Sequence, residues 1–237
     1  MKRSVMIKKL CLSLMILALP TIALAERDLD ELRSDGSANE WRLSKNDNRH
    51  KIKVYVKNED GQSIRSFRVA ATINASIDTL ARVQSDFDNY VRWYFATVEV
   101  KFLRKVSDRE YIYYMVHDAP IGTPDRDVIL RTVIEPMTDR KPYVFMRVTA
   151  LPNYSPPRPP YVRMVAENYT VKWTPIDANT TLVESEGFIN PGGNAPAWTV
   201  NFIQSKGPYA NMMGLARQTK LPQYTEATTP LPFTFVE

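Results

Sequence analysis

The chain has 237 residues, 31 Lys and Arg against 26 Asp and Glu, and one cysteine. Four of the cations (Lys2, Arg3, Lys8, Lys9) lie in the first 25 residues, which hold no acid, so residues 26–237 carry 27 against 26. That near balance excludes the clustered basic excess of a nucleic-acid-binding face. The position of Cys11 excludes disulfides, zinc–thiolate sites and cysteine nucleophiles from the remaining chain.

The N-terminus reads in the order of a secretory signal peptide: the four cations, the short apolar run "LCLSLMILAL", Pro20, and Ala23-Leu24-Ala25 before Glu26. The run is short for a membrane span, and an uncleaved anchor is the alternative. Cys11 follows Lys8-Lys9-Leu10 rather than Leu and two small residues, which argues against a lipoprotein anchor. The style is bacterial, so residues 1–25 predict export and a mature protein in the periplasm. Residues 26–40 form a polar lead-in, with a short helix expected over "ERDLDELR" and Trp41 packing on the domain that follows.

No Gly/Ser linker, charge block or repeat divides the rest, and 44% hydrophobic residues suit one packed domain. "KIKVYVK" (51–57) alternates at period two and predicts a half-buried strand, with "NEDG" as the turn to its partner "SFRVAATINA" (66–75). "SIDTLARVQSDFDNYVRWYF" (76–95) has helical spacing with Ser76 as N-cap. Six strands are then expected over 97–106, 110–118, 126–136, 142–151, 162–176 and 180–190, separated by turn signals such as "PIGTPD" and "NYSPPRPP". A long helix follows over Ala197–Lys220, opening at Pro196 and interrupted, with a kink, at Gly207-Pro208. The Pro-rich tail 222–237 is expected to be loose. A sheet in this order buries one face only if a helix covers it. The fold class is α+β, a curved antiparallel sheet gripping a long C-terminal helix.

From about Trp41 to Leu221 the chain resembles the START family, the steroidogenic-acute-regulatory-related lipid-transfer domains. "IKVYVK" is similar to the family's first strand, and "DFDNYVRWY" to the segment after its first helices. "APIGTPDRDVILRTV" resembles its Pro-rich turn into Arg-Asp and a strand. "GFINPGGNAPAWTVNFIQSKGPYANMMGLAR" resembles its last strand and the opening of its lid helix. The resemblance implies a helix-grip fold around a deep apolar tunnel that holds one lipid or sterol, and transfer or sensing rather than chemistry. Export departs from the familiar intracellular members and leaves the cargo open. The partners this implies are a lipid or sterol and, transiently, a membrane surface. No cofactor, metal or nucleic acid is expected.

Asp125-Arg126-Asp127 admits three readings. A catalytic carboxylate pair is disfavoured, because two acids flanking an arginine on an extended chain point apart and the arginine would depress both. Arg126 and Asp127 tying the strand start to its neighbours, with a bidentate arginine holding the turn, is the structural reading. In the third, Arg126 faces the tunnel and meets a polar ligand end.

Strand alternation gives a candidate lining. With Arg131 and Glu135 outward, Arg126, Val128, Leu130, Thr132 and Ile134 face in. Val144, Met146 and Val148 face in opposite Arg147, and with Arg163 outward so do Met164, Ala166 and Asn168. Met115 joins the candidates, and Trp93 caps one end. On the closing helix Trp198, Phe202, Tyr209, Met212 and Met213 are candidates. A filled core is the competing reading for each. Asn168, polar on an inward face, would need a partner. Enclosing roughly 500 Å² of apolar ligand would contribute on the order of 12 kcal/mol gross. The rival functions are a hydrolase or cyclase of a hydrophobic substrate, for which His117-Asp118 is a candidate general base, and an envelope adaptor. None of the common hydrolase, zinc-protease or nucleotide-binding signatures can be read in the chain.

Overall fold

The computed structural model describes residues 39–237 apart from Ile121. The expected signal peptide, the short helix over 26–33 and all but the end of the 26–40 lead-in lie outside the described residues.

Ten strands form one sheet: β1 (Trp41–Asp47), β2 (Ile52–Lys57), β3 (Ser66–Ile73), β4 (Thr97–Ser107), β5 (Glu110–His117), β6 (Arg126–Glu135), β7 (Val144–Ala150), β8 (Val162–Arg163), β9 (Ala166–Asp177) and β10 (Thr180–Asn190). Their order is β1-β2-β3-β10-β9-β7-β6-β5-β4, antiparallel throughout, with the two-residue β8 lying parallel beside β6. Among the described residues three α-helices accompany the sheet: α1 (Ile77–Ser85), α2 (Ala197–Gln218) and the single turn α3 (Pro222–Thr225). The curved sheet around α2 is the expected helix grip, and α2 lies across β2, β3 and β10.

The alternation of sequence becomes the alternation of burial. On β7 Val144, Met146, Val148 and Ala150 are buried while Arg147 is exposed. β5 departs from it, because Tyr111 through Val116 are all buried. Its outer residues Ile112, Tyr114 and Val116 form a second cluster with Ile129 under Leu151 and Tyr161 of the β7–β8 loop. Arg158 of that loop stacks on both Tyr114 and Tyr161, 5.3 Å from each ring centroid, and pairs with Glu99.

Five expectations are corrected. The lead-in ends at a half-buried Trp41 as expected, but that residue also opens a strand that was not. β1 follows from that tryptophan and pairs with β2 despite its polar "SKND", and its ladder rather than an apolar face holds it. Trp41 sits between the Lys57 and Arg68 cations, 5.0 and 4.3 Å from its ring. The helix expected over 76–95 keeps its Ser76 cap, whose hydroxyl accepts from the Thr79 amide at 3.1 Å, but ends at Ser85. Asp86 leaves the helical region there, its carboxylate held by Asn89 and by the Tyr224 hydroxyl, and Phe87–Arg92 continues as a 3-10 helix. The single strand expected over 162–176 is two strands, β8 and β9. α2 runs through Pro208 without interruption. Finally, the tail is docked rather than loose. Phe233 and Phe235 are buried, their rings packing against Tyr111 at 4.5 Å and against Trp173 at 5.5 Å. Main-chain bonds from Thr234 to Asp108 and from Met137 to Phe235, each 2.8 Å, hold the strap.

Candidate ligand cavity

Side-chain size along α2 explains why the grip is not filled. Between Val200 and Met212 its buried residues are Gln204, Ser205, Gly207 and Pro208, small or polar where a packing helix would carry Leu or Phe. The facing strands add room. Gly187 on β10 stands opposite Tyr169 on β9, so close that a Cβ on Gly187 would lie 2.3 Å from the Tyr169 Cβ. Ser185 occupies the same face two residues earlier. A cavity of about 540 Å³ results beneath the first half of α2, with Phe67 and Val69 of β3 as part of its apolar wall.

Polar contacts fasten the roof at three places. Asn201 accepts from the Arg65 amide at 2.8 Å and donates to the Ser63 carbonyl at 3.1 Å. Asn211 accepts from the Phe95 amide at 2.6 Å. Tyr209 donates to Asp47 at 2.6 Å, and with His50 this bond holds the Asp47 carboxyl well below the usual carboxylate range. Where α2 crosses the 3-10 segment, Gly214 permits contact with the Trp93 carbonyl, which an added Cβ would approach to 2.3 Å.

The wall carries one buried ion pair. His117 Nε2 lies 3.1 Å from Glu167 Oε2, with side chains 18% and 2% exposed. Burial pulls the imidazole pKa down, but the Glu167 carboxylate and the Phe95 carbonyl outweigh it, and the net shift is upward. Beside the pair the Tyr94 hydroxyl donates to the Tyr169 hydroxyl at 3.1 Å. Burial raises both phenols far above their ordinary value, so they stay neutral. The site thus offers an apolar enclosure, one buried histidine–glutamate pair and a few neutral hydrogen-bonding groups.

Of the candidates read from sequence, Met164, Phe202 and Met212 line this cavity, as do His117 and Asp118. Met115, Leu130, Thr132 and Met146 point inward as alternation requires but lie in the filled core at the other end of the grip, where Tyr90, Tyr111 and Tyr113 occupy the space. Trp93 is buried in that aromatic packing, edge-on to Tyr90 and Tyr94. Met213 packs half-buried against the core. Arg126 is buried behind the cavity, its guanidinium donating to the Pro124 carbonyl. Two candidates face the other way. Trp198 is 62% exposed on the first turn of α2. Asn168 is exposed on the outer face, its side chain accepting from the Ala150 amide at 2.9 Å. The break between β8 and β9 shifts the alternation by one residue at Val165, so Met164 faces in, but so do Glu167 and Tyr169.

The acid–Arg–acid cluster anchors structure, with the roles redistributed. The bidentate arginine is Arg163, whose Nε and Nη2 each reach an Asp127 oxygen at 3.0 Å. Asp125 accepts from the Ala119 amide and closes the Pro-rich turn. Glu167, Tyr94, Tyr169 and Gln204 were not singled out from sequence. The charge of Glu167 inside an otherwise buried-pattern strand was the available signal.

No family profile matches the chain. A crystal structure of a STAR-related lipid transfer protein fragment from Xanthomonas axonopodis is similar over 76% of this chain and 99% of its own, at 27% identity and a TM-score of 0.69. Human STARD10 is similar over 85% and 82% at 21% identity and 0.67. The Zhui aromatase/cyclase of Streptomyces sp. R1128 shares the fold over 70% and 99% at 12% identity and 0.51.

Proposed function

We propose that this START-like domain encloses one lipid-like molecule under α2 and carries it through the aqueous space of a bacterial envelope. The observation that supports the reading is the cavity itself, about 540 Å³ of largely apolar space left by small residues on the roof helix. Filling it with Leu or Phe would have stabilised the domain, so a protein that leaves it open forgoes stability for a site. The N-terminal signal supports a periplasmic location for the mature chain. Trp198 and Phe202, 62% and 48% exposed near the cavity mouth, support transient contact with a membrane surface during loading. Native mass spectrometry of the mature protein from periplasmic extract is the test. A discrete added mass that extracts as one lipid class supports the reading. A clean apo mass with no uptake from liposomes refutes it. Trp198→Asp, outside the cavity lining, is expected to slow vesicle-to-protein transfer at least tenfold while leaving the final loading unchanged.

A second reading, a hydrolase or cyclase of a hydrophobic substrate, is favoured by one observation. Glu167 stands beside His117 on the cavity wall and helps raise its imidazole pKa, and an imidazole so placed can serve as a general acid when protonated. Turnover of lipid esters that His117→Gln abolishes would establish it.

A further inference from the structure

We propose that the cavity selects a lipid with one apolar body and an uncharged hydrogen-bond-donating head, an alcohol or an amide, whose donor meets Gln204. The proposal deepens the lipid-carrier reading and rests on it.

Gln204 is 1% exposed and lines the cavity. Its Nε2 donates to the Ile189 carbonyl at 3.4 Å, and because a carbonyl only accepts, that contact orients the amide. The Oε1 at the other end has no partner. Buried acceptors without donors are rare and destabilising. The Oε1 is therefore an acceptor left open on the wall, and a hydroxyl or amide N–H from a ligand would satisfy it.

Charge selects against an acid. No Lys or Arg lines the cavity. His117 balances Glu167 only while its imidazole is protonated, Asp118 is exposed, and Arg126, opposite His117 in the ladder, lies outside the lining, its Nη1 donating to the Pro124 carbonyl and its Nε without a partner. A carboxylate or phosphate head would bring an unpaired negative charge beside Glu167 and the Gln204 oxygen. Volume limits the body. At roughly 30 Å³ per water-sized group, about 540 Å³ holds about 18 such groups, a single long chain or a compact ring system but not two long acyl chains.

The test offers the mature protein equimolar oleyl alcohol, oleate and dioleoylphosphatidylcholine at pH 8 and reads occupancy by native mass spectrometry. The expected result is at least a tenfold preference for the alcohol over oleate, with little phosphatidylcholine bound. Gln204→Leu removes the acceptor and is expected to bring the ratio below about threefold. Gln204→Met serves if the leucine variant does not fold. Equal or preferred binding of oleate or phosphatidylcholine, or an unchanged ratio in a folded Gln204 variant, overturns the selection and leaves the carrier reading standing. Uptake of none of the three overturns both.

Discussion

Arg163→Met is the substitution from which the most can be read. The Asp127 carboxylate is fully buried, and its two oxygens meet Arg163 at 3.0 Å each. The same guanidinium donates to the carbonyls of Pro152, Ser155 and Pro156, so one side chain gathers the β7–β8 loop onto the start of β6. Methionine keeps the apolar stem and leaves Asp127 buried without its countercharge. Breaking a buried pair in this way costs about 3–5 kcal/mol, because the abandoned charge stays desolvated. For a domain of this size that corresponds to a fall in Tm of roughly 6–20 °C. Urea denaturation of the mature protein at pH 7 measures it, with Asp127→Asn/Arg163→Met as the partner. Once the charge is gone, the double variant is expected to recover about 1–3 kcal/mol of the loss. Met164 follows Arg163 and lines both the ligand cavity and an outer pocket of about 590 Å³ bounded by Pro152–Pro157. Loosening the loop is therefore also expected to speed lipid exchange. A loss under about 1 kcal/mol, the value of an exposed pair such as Lys172–Glu184, would refute the reasoning.

Gly214→Ala exchanges a favourable local effect for an unfavourable contact. Alanine improves helix propensity by about 1 kcal/mol, but its Cβ would lie 2.3 Å from the Trp93 carbonyl and push α2 off the 3-10 segment. That displacement costs about 1–3 kcal/mol, so a net loss of stability and a shift in tryptophan fluorescence are expected. The His117–Glu167 pair predicts a pH dependence. The folded imidazole is raised above its unfolded value near 6.5, so its contribution is complete below that pH and fades as pH climbs through the raised value. Tm is accordingly expected to fall as pH rises above 6.5, and Glu167→Gln is expected to flatten that slope. Phe235→Ala removes a side chain 1% exposed against Trp173 and is expected to cost about 3–5 kcal/mol by denaturant titration. A value near zero would mean that the strap is not part of the core.

The grip was legible because its information is local. Period-two runs such as "KIKVYVK" and "PYVFMRVTAL", a helix-capping Ser76 and a 22-residue closing helix each reduce to one short-range rule. What escaped depends on distant partners. β1 is polar and exists through its ladder with β2, and the tail binds because Tyr111 and Trp173 offer rings to Phe233 and Phe235. Neither strand nor strap carries its partner in its own sequence.

The site escaped for a narrower reason, and the sequence held the means to find it. Alternation assigns a whole strand from one anchor, so a one-residue slip reverses every residue beyond it. Anchoring 162–176 on Arg163 put Asn168 inside. Anchoring on Lys172, equally charged and in the same run, puts Glu167, Tyr169, Val171 and Trp173 inside, and Trp173 is indeed 1% exposed. Arg163 and Lys172 have opposite parity, so two outward cations cannot share one unbroken strand. Their conflict required a break between them, and the structure has it at Val165, between β8 and β9. Placed that way, Glu167 becomes a charge on an inner face, which burial tolerates only beside a cation. On the adjoining elements of the inner face, His117 is the ionisable group that meets it, at 3.1 Å. Met164 and Glu167 can both face the cavity only because the chain between them stops being a regular strand.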